Sequence, residues 1–507
     1  MNINITKQSC GRGTVKVLSL FLTVSSLLTM TSCSDFFDVD SRHAAKEEQQ
    51  WTSVADTRSA LMGVYALTRS AIASNNLYWL CGELPMGDFT VRESGVLASI
   101  AKADFSSDND TIRSIKDYSR FYTAINAAAV FMENAYKTEA NDMAYSEQNL
   151  KWDVAQARAL RAFLYYMMAR IYGDVPLVKY SYDNGVFADG VEPSSQEAIL
   201  TWAKSEMQVA AENLPQQFGS SSNKYYDQEP SYWQGILFNQ SAAWAVLAHI
   251  SAMMNNYADC ASYCQKVIDG QTIGTTTLAK ASTVASIISS TGLFSSDSRT
   301  YAANRLLAFV FPYSGGEARR EGHLESLTLA SPYVRRQYPD IYVSRDTLSN
   351  LYNETTDERL GIDTTKMTYN NNFIDMNTTY PIFKKVNVIQ DGSASDVDYS
   401  VFSSAIVFSR LEEIILLKAE AAWALGDNTE ASDRLNEVRT ARGLGRVTLS
   451  YDFKNDRRKL LDAIFKERRR ELIGEGWRWY DILRRQKLLK DDQQLLQRIK
   501  NKDIYWK

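Results

Sequence analysis

The segment from residue 467 to residue 485 constrains the fold of this chain more than any other part of the sequence. Just before it, Leu460, Ile464 and Phe465 recur at helical spacing and predict an amphipathic helix. Its charged residues, among them Glu467 and Glu471, are expected on the outer surface of that helix, where each pair of opposite charges contributes about 0.2–0.5 kcal/mol. Two glycines then end or bend the helix. The aromatic residues that follow are expected to cover apolar neighbours, so the segment is assigned a structural role.

Helical periodicity recurs along most of the chain, and proline is scarce, at 9 of 507 residues. Both observations predict a mainly α-helical protein. The nine predicted helices span residues 53–73, 116–137, 150–172, 195–213, 235–255, 257–269, 409–425, 428–442 and 457–473. Some connections are so short that their helices are expected to form antiparallel pairs like tetratricopeptide repeats. In two such pairs, small residues including Ala248 and Ala422 would let the helices approach closely.

Three segments, residues 408–427, 435–444 and 467–485, resemble the C-terminal signature of the SusD/RagB family. The family pattern is filled at Glu467, Arg468, Glu471, Leu472, Glu475, Gly476, Arg478, Trp479, Asp481 and Arg484. The chain departs from it at Trp477, where the family often has histidine, and we expect the tryptophan to pack in the same place. The resemblance runs from Cys33 to the C-terminus and is weakest between about Gly270 and Ala405.

The resemblance implies a SusD-like fold, in which helix-pair repeats support a loop-rich glycan-binding face. Members of this family are surface lipoproteins that bind glycans for import and do not cleave them. It also implies a partner, a SusC-like TonB-dependent outer-membrane transporter, which the protein would cover like a lid. The helical repeat face would then be the docking surface for that transporter.

The first residues have the order of charge and hydrophobicity expected of a lipoprotein signal. Lys7, Arg12 and Lys16 precede an apolar run at 17–30 that is too short to span a bilayer, and small residues come directly before Cys33. We therefore predict a signal peptide at 1–32, lipidation of Cys33 and a tether at 33–50, with a signal peptide and a chance cysteine as the alternative. The acidic residues after Cys33 resemble a start that sends lipoproteins to the outer face of the outer membrane. They would otherwise be an ordinary solvated linker.

Composition excludes several classes of function. Removing residues 1–32 takes away three basic and no acidic residues, which changes the net charge from −4 to −7 and argues against a nucleic-acid partner. The cysteines left besides Cys33 are too few for a disulfide framework, and Cys260 and Cys264 are expected to be buried small apolar residues. The three histidines are widely scattered, so neither a zinc site nor another cofactor is predicted. The acidic loop 391–398 lacks EF-hand spacing, which leaves calcium as a minor alternative to a solvated loop.

We expect one globular unit at 51–507, comprising an N-terminal helical region at 51–270, a loop-rich variable region at 271–405 and the signature region at 406–507. The irregular stretches, 77–105 and 270–405, are where recognition surfaces are expected. A glycan site needs exposed aromatic platforms with polar side chains at their edges. The candidate residues are Trp79, Tyr78, Asn76, Asp88, Arg92, Tyr313, Arg320 and Tyr338. For each aromatic residue the alternative is burial beneath a loop.

The arginine pairs at 319–320 and 335–336 have two interpretations. They could bind carboxylates or sulfates of an acidic glycan, or they could hold the loops in place by pairing with Glu317, Glu321, Glu325 and Asp340. We favour the structural interpretation.

No catalytic residues are predicted. The adjacent acids Glu412 and Glu413 would point about 100° apart on a helix, so they would not face each other across a cleft as glycosidic hydrolysis requires. No nucleophile elbow or phosphate-binding loop is present in the sequence. Two alternatives to glycan capture stay open: a surface glycoside hydrolase, whose carboxylates need no local motif, and a protein-interaction scaffold without its own glycan site.

Overall fold

The computed structural model describes residues 50–182, 190–273, 283–297, 304–318, 322–363, 368–369, 371–390, 400–449 and 453–500. The described residues from Thr52 onwards form one compact unit. The predicted signal peptide, Cys33, the tether, Arg320 and the acidic loop 391–398 lie outside the described residues.

Long helices dominate the described residues, which confirms the mainly α-helical prediction. The helices of eight or more residues are α1 (Val54–Ala73), α2 (Ser119–Asn134), α3 (Glu147–Tyr172), α4 (Gln196–Asn213), α5 (Gln240–Met253), α6 (Tyr257–Ile273), α7 (Leu411–Leu425), α8 (Asn428–Ala441), α9 (Phe453–Glu471), α10 (Arg478–Leu489) and α11 (Gln493–Lys500). Shorter helices span Leu77–Gly82, Val96–Ala101, Asp110–Lys116, Tyr136–Asn141, Pro230–Trp233, Val284–Ile288, Glu325–Thr328 and Arg345–Leu351, and a 3-10 turn spans Ser74–Asn76.

All nine predicted helices are present, and capping residues account for most differences at their ends. Helix α3 begins before residue 150 because the Ser146 hydroxyl accepts the backbone N–H of Asn149 at 3.2 Å. The segment predicted as one helix at 116–137 is interrupted before α2. There the Asp117 carboxylate accepts the backbone N–H of Ser119 at 2.9 Å, a local bond that competes with helix continuation.

Consecutive long helices pack against one another from α1 to α8, which gives four successive helix pairs. The pairs α5–α6 and α7–α8 are the two predicted from small residues. At the first, Ala248 and Ala252 of α5 belong to the same buried cluster as Cys260 and Cys264 of α6. Small side chains on both helices permit this close packing. The two cysteines are buried free thiols, as predicted.

Strands are short and occur in antiparallel pairs. They are β1 (Phe89–Val91), β2 (Val175–Pro176), β3 (Pro193–Ser194), β4 (Arg305–Phe309), β5 (Ile341–Val343), β6 (Ile362–Asp363), β7 (Thr368–Tyr369), β8 (Phe373–Ile374), β9 (Ile382–Phe383), β10 (Ile389–Gln390), β11 (Val401–Phe402) and β12 (Ile406–Arg410). The pairs are β1–β5, β2–β3, β4–β12, β6–β7, β8–β9 and β10–β11. The β1–β5 pair joins the two irregular stretches, and the β4–β12 pair joins the variable region to the signature region.

Across the described part of the chain, we find no helix that combines the length and the apolar composition needed to cross a membrane.

Candidate functional site

Most charged residues of the signature segment (residues 467–485) are buried, among them Glu467 and Glu471, so their predicted place on an outer helix surface is wrong. Glu471 is 1% exposed and accepts two bonds from the Arg442 guanidinium, at 2.7 and 2.9 Å. It also accepts bonds from Arg410 at 2.9 Å and Arg359 at 3.1 Å. These charges hold the pKa of Glu471 well below its ordinary value, although burial by itself would raise it. Burial is tolerated because the carboxylate is surrounded by cations.

Glu475 extends this ionic cluster towards the variable region. Its carboxylate contacts the ammonium group of Lys385 at 2.5 Å and the guanidinium of Arg410 at 2.8 and 2.9 Å. Lys385 also donates to the backbone carbonyls of Glu471 and Ile473, at 2.7 and 3.1 Å. The signature segment therefore organises the surrounding loops from within the core.

The glycines that end α9 are fixed by a residue of the first irregular stretch. The Glu83 carboxylate accepts the backbone N–H of Gly474 at 2.8 Å and that of Gly476 at 2.9 Å. Both glycines have positive φ, and a Cβ at Gly476 would lie 2.4 Å from the Tyr78 ring. Burial raises the pKa of Glu83 to about 7.

Trp477 packs in the core, as expected for the residue that replaces the family histidine. Its ring stacks on His249, with centroids 4.3 Å apart and an interplanar angle of 20°. His249 is held in turn by an acid, because its Nε2 lies 2.9 Å from the Glu413 carboxylate. Glu413 also pairs with Arg468 at 3.1 Å. Both acids of the pair 412–413 are therefore engaged in ion pairs.

The expectation that Tyr78 and Trp79 form exposed aromatic platforms is wrong. Their side chains are 1% and 2% exposed. The Trp79 indole N–H donates to the Gly322 carbonyl at 3.0 Å, and Asn76 Oδ1 accepts the Gly322 backbone N–H at 2.8 Å. Asn76 and Trp79 therefore hold the loop at Gly322 against the end of α1. The rings of Tyr78 and Trp79 belong to the hydrophobic core and not to the surface.

Asp88 is also structural in this conformation. It is 4% exposed and pairs with Arg469 and with Arg478, the latter at 3.3 Å. A carboxylate that is buried between two guanidinium groups is not available to bind a sugar hydroxyl. Asp88 therefore does not lie on an exposed surface, contrary to the prediction.

Arg92 and Tyr338, which come from different irregular stretches, lie close together. In the β1–β5 ladder Val91 pairs with Ile341, and the Arg92 backbone N–H donates to the Asp340 carbonyl at 2.9 Å. The Arg92 side chain donates to the Pro339 carbonyl at 3.1 Å. Sequence separation concealed this contact, but the ladder places both candidates at one edge.

Three tyrosines at this edge form a surface that we call the tyrosine patch: Tyr338, Tyr342 and Tyr380. Tyr338 is 41% exposed, and its ring centroid lies 5.0 Å from that of Tyr380. The Tyr342 ring meets Tyr380 edge-on, also at 5.0 Å. The exposed Gln337 amide donates to the Tyr338 hydroxyl at 3.0 Å. The patch thus combines ring faces with polar groups at their edges. Tyr380 was absent from the sequence-based candidates.

The side chain of Arg336 behind the patch is engaged within the loop. It pairs with Asp340 at 2.6 Å and donates to the carbonyls of Ser326 and Leu329, at 3.0 and 2.8 Å. This confirms the structural interpretation for Arg336.

A second aromatic surface lies along α1. Tyr313 is 44% exposed, and its backbone N–H donates to the Asp297 carboxylate at 3.1 Å. Asp297 lines a cleft of about 330 Å³ together with Trp233 and with Tyr232, which is 45% exposed. We call this the Tyr232 cleft. Tyr232, which lies in the short helix Pro230–Trp233, was absent from the sequence-based candidates.

Among the described residues, no group of three or more His, Cys, Asp or Glu side chains could hold a metal ion.

Comparison with known proteins places the chain among SusD-like proteins. Residues 295–505 match the family model described as "SusD family". A crystal structure of a SusD superfamily protein from Bacteroides thetaiotaomicron is 46% identical, with a TM-score of 0.83 over 90% of this chain and 95% of that one. A SusD-like carbohydrate binding protein from Bacteroides vulgatus is 19% identical, with a TM-score of 0.63 over 86% of this chain and 84% of that one. SusD-like protein P38 of Formosa agariphila is 24% identical over 92% of this chain and 91% of its own length.

Proposed function

Because this chain belongs to the SusD/RagB family, we propose that it binds an oligosaccharide at the outer-membrane surface and delivers it, uncleaved, to a SusC-like TonB-dependent transporter. One structural relative, from Bacteroides vulgatus, is a SusD-like carbohydrate binding protein, which supports this ligand class. The observation that carries the proposal is the tyrosine patch, since exposed rings with polar edges suit the apolar faces and hydroxyls of a sugar.

We propose that a sugar ring stacks on Tyr338, with Gln337 and Arg92 as hydrogen-bonding groups at its edges. Tyr338 is the most exposed ring of the patch, and the side chain of Arg92 is 25% exposed despite its ion pair with Glu93 at 2.6 Å. Such a surface covers only part of each sugar and leaves much polar area in water. The affinity should therefore be micromolar or weaker, about −8 kcal/mol or less in magnitude.

The Tyr232 cleft is the second surface that could contact the same glycan. Its volume of about 330 Å³ falls at the small end of the range for ligand pockets, about 300–1,000 Å³. The ion pair between Arg69 and Glu317 and the side chain of Asp297 supply polar groups along its wall. We place Tyr313 with this surface, because its neighbours Pro312 and Ser314 line the cleft.

A glycan array followed by titration of the ligand it identifies tests the binding proposal. Tyr338→Ala should weaken binding by about 1–3 kcal/mol, by analogy with base stacking on aromatic side chains. Tyr313→Ala reports on the Tyr232 cleft, and Tyr136→Ala is the control, because Tyr136 is 56% exposed and outside both surfaces. Equal binding by all three variants and the wild type would refute the assignment to these surfaces.

The same samples separate capture from hydrolysis. We expect the oligosaccharide to be recovered intact after long incubation with the protein. Release of shorter products by purified protein would instead favour the glycoside hydrolase alternative.

We also propose that Cys33 is lipidated after removal of residues 1–32 and that the protein faces outside the cell. Protease added to intact cells should degrade the wild type, and Cys33→Ala should release the protein from the membrane fraction. A Cys33→Ala protein that stays membrane-bound and surface-exposed would contradict lipid anchoring.

Partnership with the transporter has its own test. The protein should co-purify with a SusC-like transporter in mild detergent, with the helix pairs as the docking surface. Recovery of the free monomer alone, under conditions that preserve other outer-membrane complexes, would count against this partner and favour independent capture.

A further inference from the structure

Arg170 of α3 is the exception among the buried arginines described above. It is 2% exposed, and its guanidinium carbon lies 5.2 Å from the ring centroid of Trp477 and 4.1 Å from that of Tyr480. Tyr78, Tyr166 and Phe408 approach it at 5.6–5.7 Å. Within the part of the chain that the structure describes, it forms no ion pair, and none of its three guanidinium nitrogens makes a hydrogen bond of ordinary geometry, although the hydroxyls of Tyr78, Tyr166 and Tyr480 lie close enough to interact with it.

An unpaired buried guanidinium needs a compensating group. Arginine stays protonated in proteins, so Arg170 cannot avoid its charge as a buried lysine or histidine can. The surrounding rings offer cation–π attraction and their tyrosine hydroxyls are polar neighbours, but none of these groups carries a full negative charge. By contrast, Arg442 and Arg468 are equally buried and each pairs with a carboxylate.

A small cavity adjoins Arg170. It has a volume of about 30 Å³ and is lined by Tyr166, Arg170, His249, Met253, Tyr480, Leu483, Arg484 and Lys487. No aspartate or glutamate is among these lining residues. Lys487 donates to the Met253 carbonyl at 3.4 Å and has no carboxylate partner in the described parts of the chain. Arg484 is already neutralised by Glu420 at 2.9 Å and Asp481 at 2.6 Å. Two cations, Arg170 and Lys487, therefore border the cavity without a matching acid.

We propose that this cavity binds one small inorganic anion of the halide class, held between Arg170 and Lys487. Space for a water molecule needs about 10–15 Å³, so this cavity admits a single small ion with little more. It is far below the volume of about 300 Å³ at which ligand pockets begin, which separates this site from any glycan surface. A bound anion supplies the charge that a buried cation otherwise finds in a carboxylate.

The location gives the anion a structural consequence. Arg170 belongs to α3, Met253 to α5 and Lys487 to α10, so the ion would connect three helices that are distant in sequence. Lys487 and Met253 are partly exposed, which leaves a route from solvent. Burial and the nearby Arg484 lower the pKa of Lys487, consistent with an ammonium group that lacks an acidic neighbour.

Bromide substitution tests the site directly. Crystals grown or soaked in sodium bromide should give an anomalous peak within hydrogen-bonding distance of the Arg170 guanidinium. A cavity that holds water alone, with no anomalous density at high bromide concentration, would overturn the proposal.

A solution measurement separates specific binding from general salt effects. At constant ionic strength, replacing gluconate, which is too large for the cavity, by chloride should raise the melting temperature saturably, by about 1–3 °C at ten times the dissociation constant. Lys487→Met should abolish the shift. Lys266→Met should keep it, because Lys266 is a helix lysine over the rings of Trp244 and Tyr263, outside the cavity. A shift that does not saturate, or one that survives in Lys487→Met, would contradict the proposal.

Discussion

The signature segment and the tyrosine patch lie at opposite extremes of solvent exposure. The carboxylates of Glu471 and Glu475 are about 1% exposed and each contacts at least two cationic groups, whereas the ring of Tyr338 is 41% exposed and packs against Tyr380. Residue type alone would suggest the reverse arrangement. The difference shows that a complete set of counter-charges permits burial of acids, whereas the ring of Tyr338 stays accessible to solvent.

The largest loss of stability is expected from a substitution of Glu471 in the signature segment. Glu471→Gln leaves Arg359, Arg410 and Arg442 short of a negative charge in the core, so we expect it to lower the free energy of unfolding by about 3–5 kcal/mol. Urea unfolding measures this. Glu430→Gln is the control, since its pair with Arg434 is 24–30% exposed and should contribute at most about 1 kcal/mol. Equal losses in the two variants would show that the buried cluster is not stabilising.

The stability of the folded protein should depend on pH through the buried carboxyl group of Glu83. Burial raises its folded pKa to about 7 from an ordinary value of 4.5, so the folded state retains a proton that the unfolded state has lost. The resulting stabilisation is present below pH 4.5 and is lost as the pH rises through 7, by about 3 kcal/mol. Glu83→Gln should therefore be more destabilising at pH 5 than at pH 8. Equal losses at the two pH values would mean that the folded carboxylate is ionised throughout.

Trp79 tests which aromatic residues belong to the core. Trp79→Phe keeps a ring but removes the indole N–H that binds the Gly322 carbonyl, so unfolding should become easier by about 1–3 kcal/mol. Glycan affinity of the folded variant should be unchanged. Weaker binding without loss of stability would return Trp79 to the ligand surface.

Tyr338 should behave in the opposite way. Tyr338→Ala removes an exposed ring, so the free energy of unfolding should change by no more than about 0.5 kcal/mol. Thermal unfolding beside Trp79→Phe gives the contrast. A loss comparable to that of Trp79→Phe would place Tyr338 in the core as well.

The helices could be predicted from the sequence because their signals are local. Ser146 and Asn239 mark helix starts within a few residues of the positions predicted from periodicity. Exposure could not be predicted because it depends on distant partners. Glu471 is neutralised by arginines 29, 61 and 112 residues away, and Trp79 is covered through a bond across 243 residues.

The residues of the candidate site could be predicted only in part, for the same reason. Arg92 and Tyr338 were both identified from residue type, but only the β1–β5 ladder shows that they lie at the same edge. Tyr380 and Tyr232 carry no sequence signal that separates them from core tyrosines. Asp88 looked like a surface acid because Arg469, its partner, lies 381 residues further along the chain.

A crystal structure of the protein with the oligosaccharide identified by the array would show directly whether the tyrosine patch binds an intact sugar. The account predicts an intact sugar with one ring stacked on Tyr338 and a hydroxyl within hydrogen-bonding distance of Gln337 or Arg92. A cleaved sugar, or an intact one that contacts neither the tyrosine patch nor the Tyr232 cleft, would contradict it.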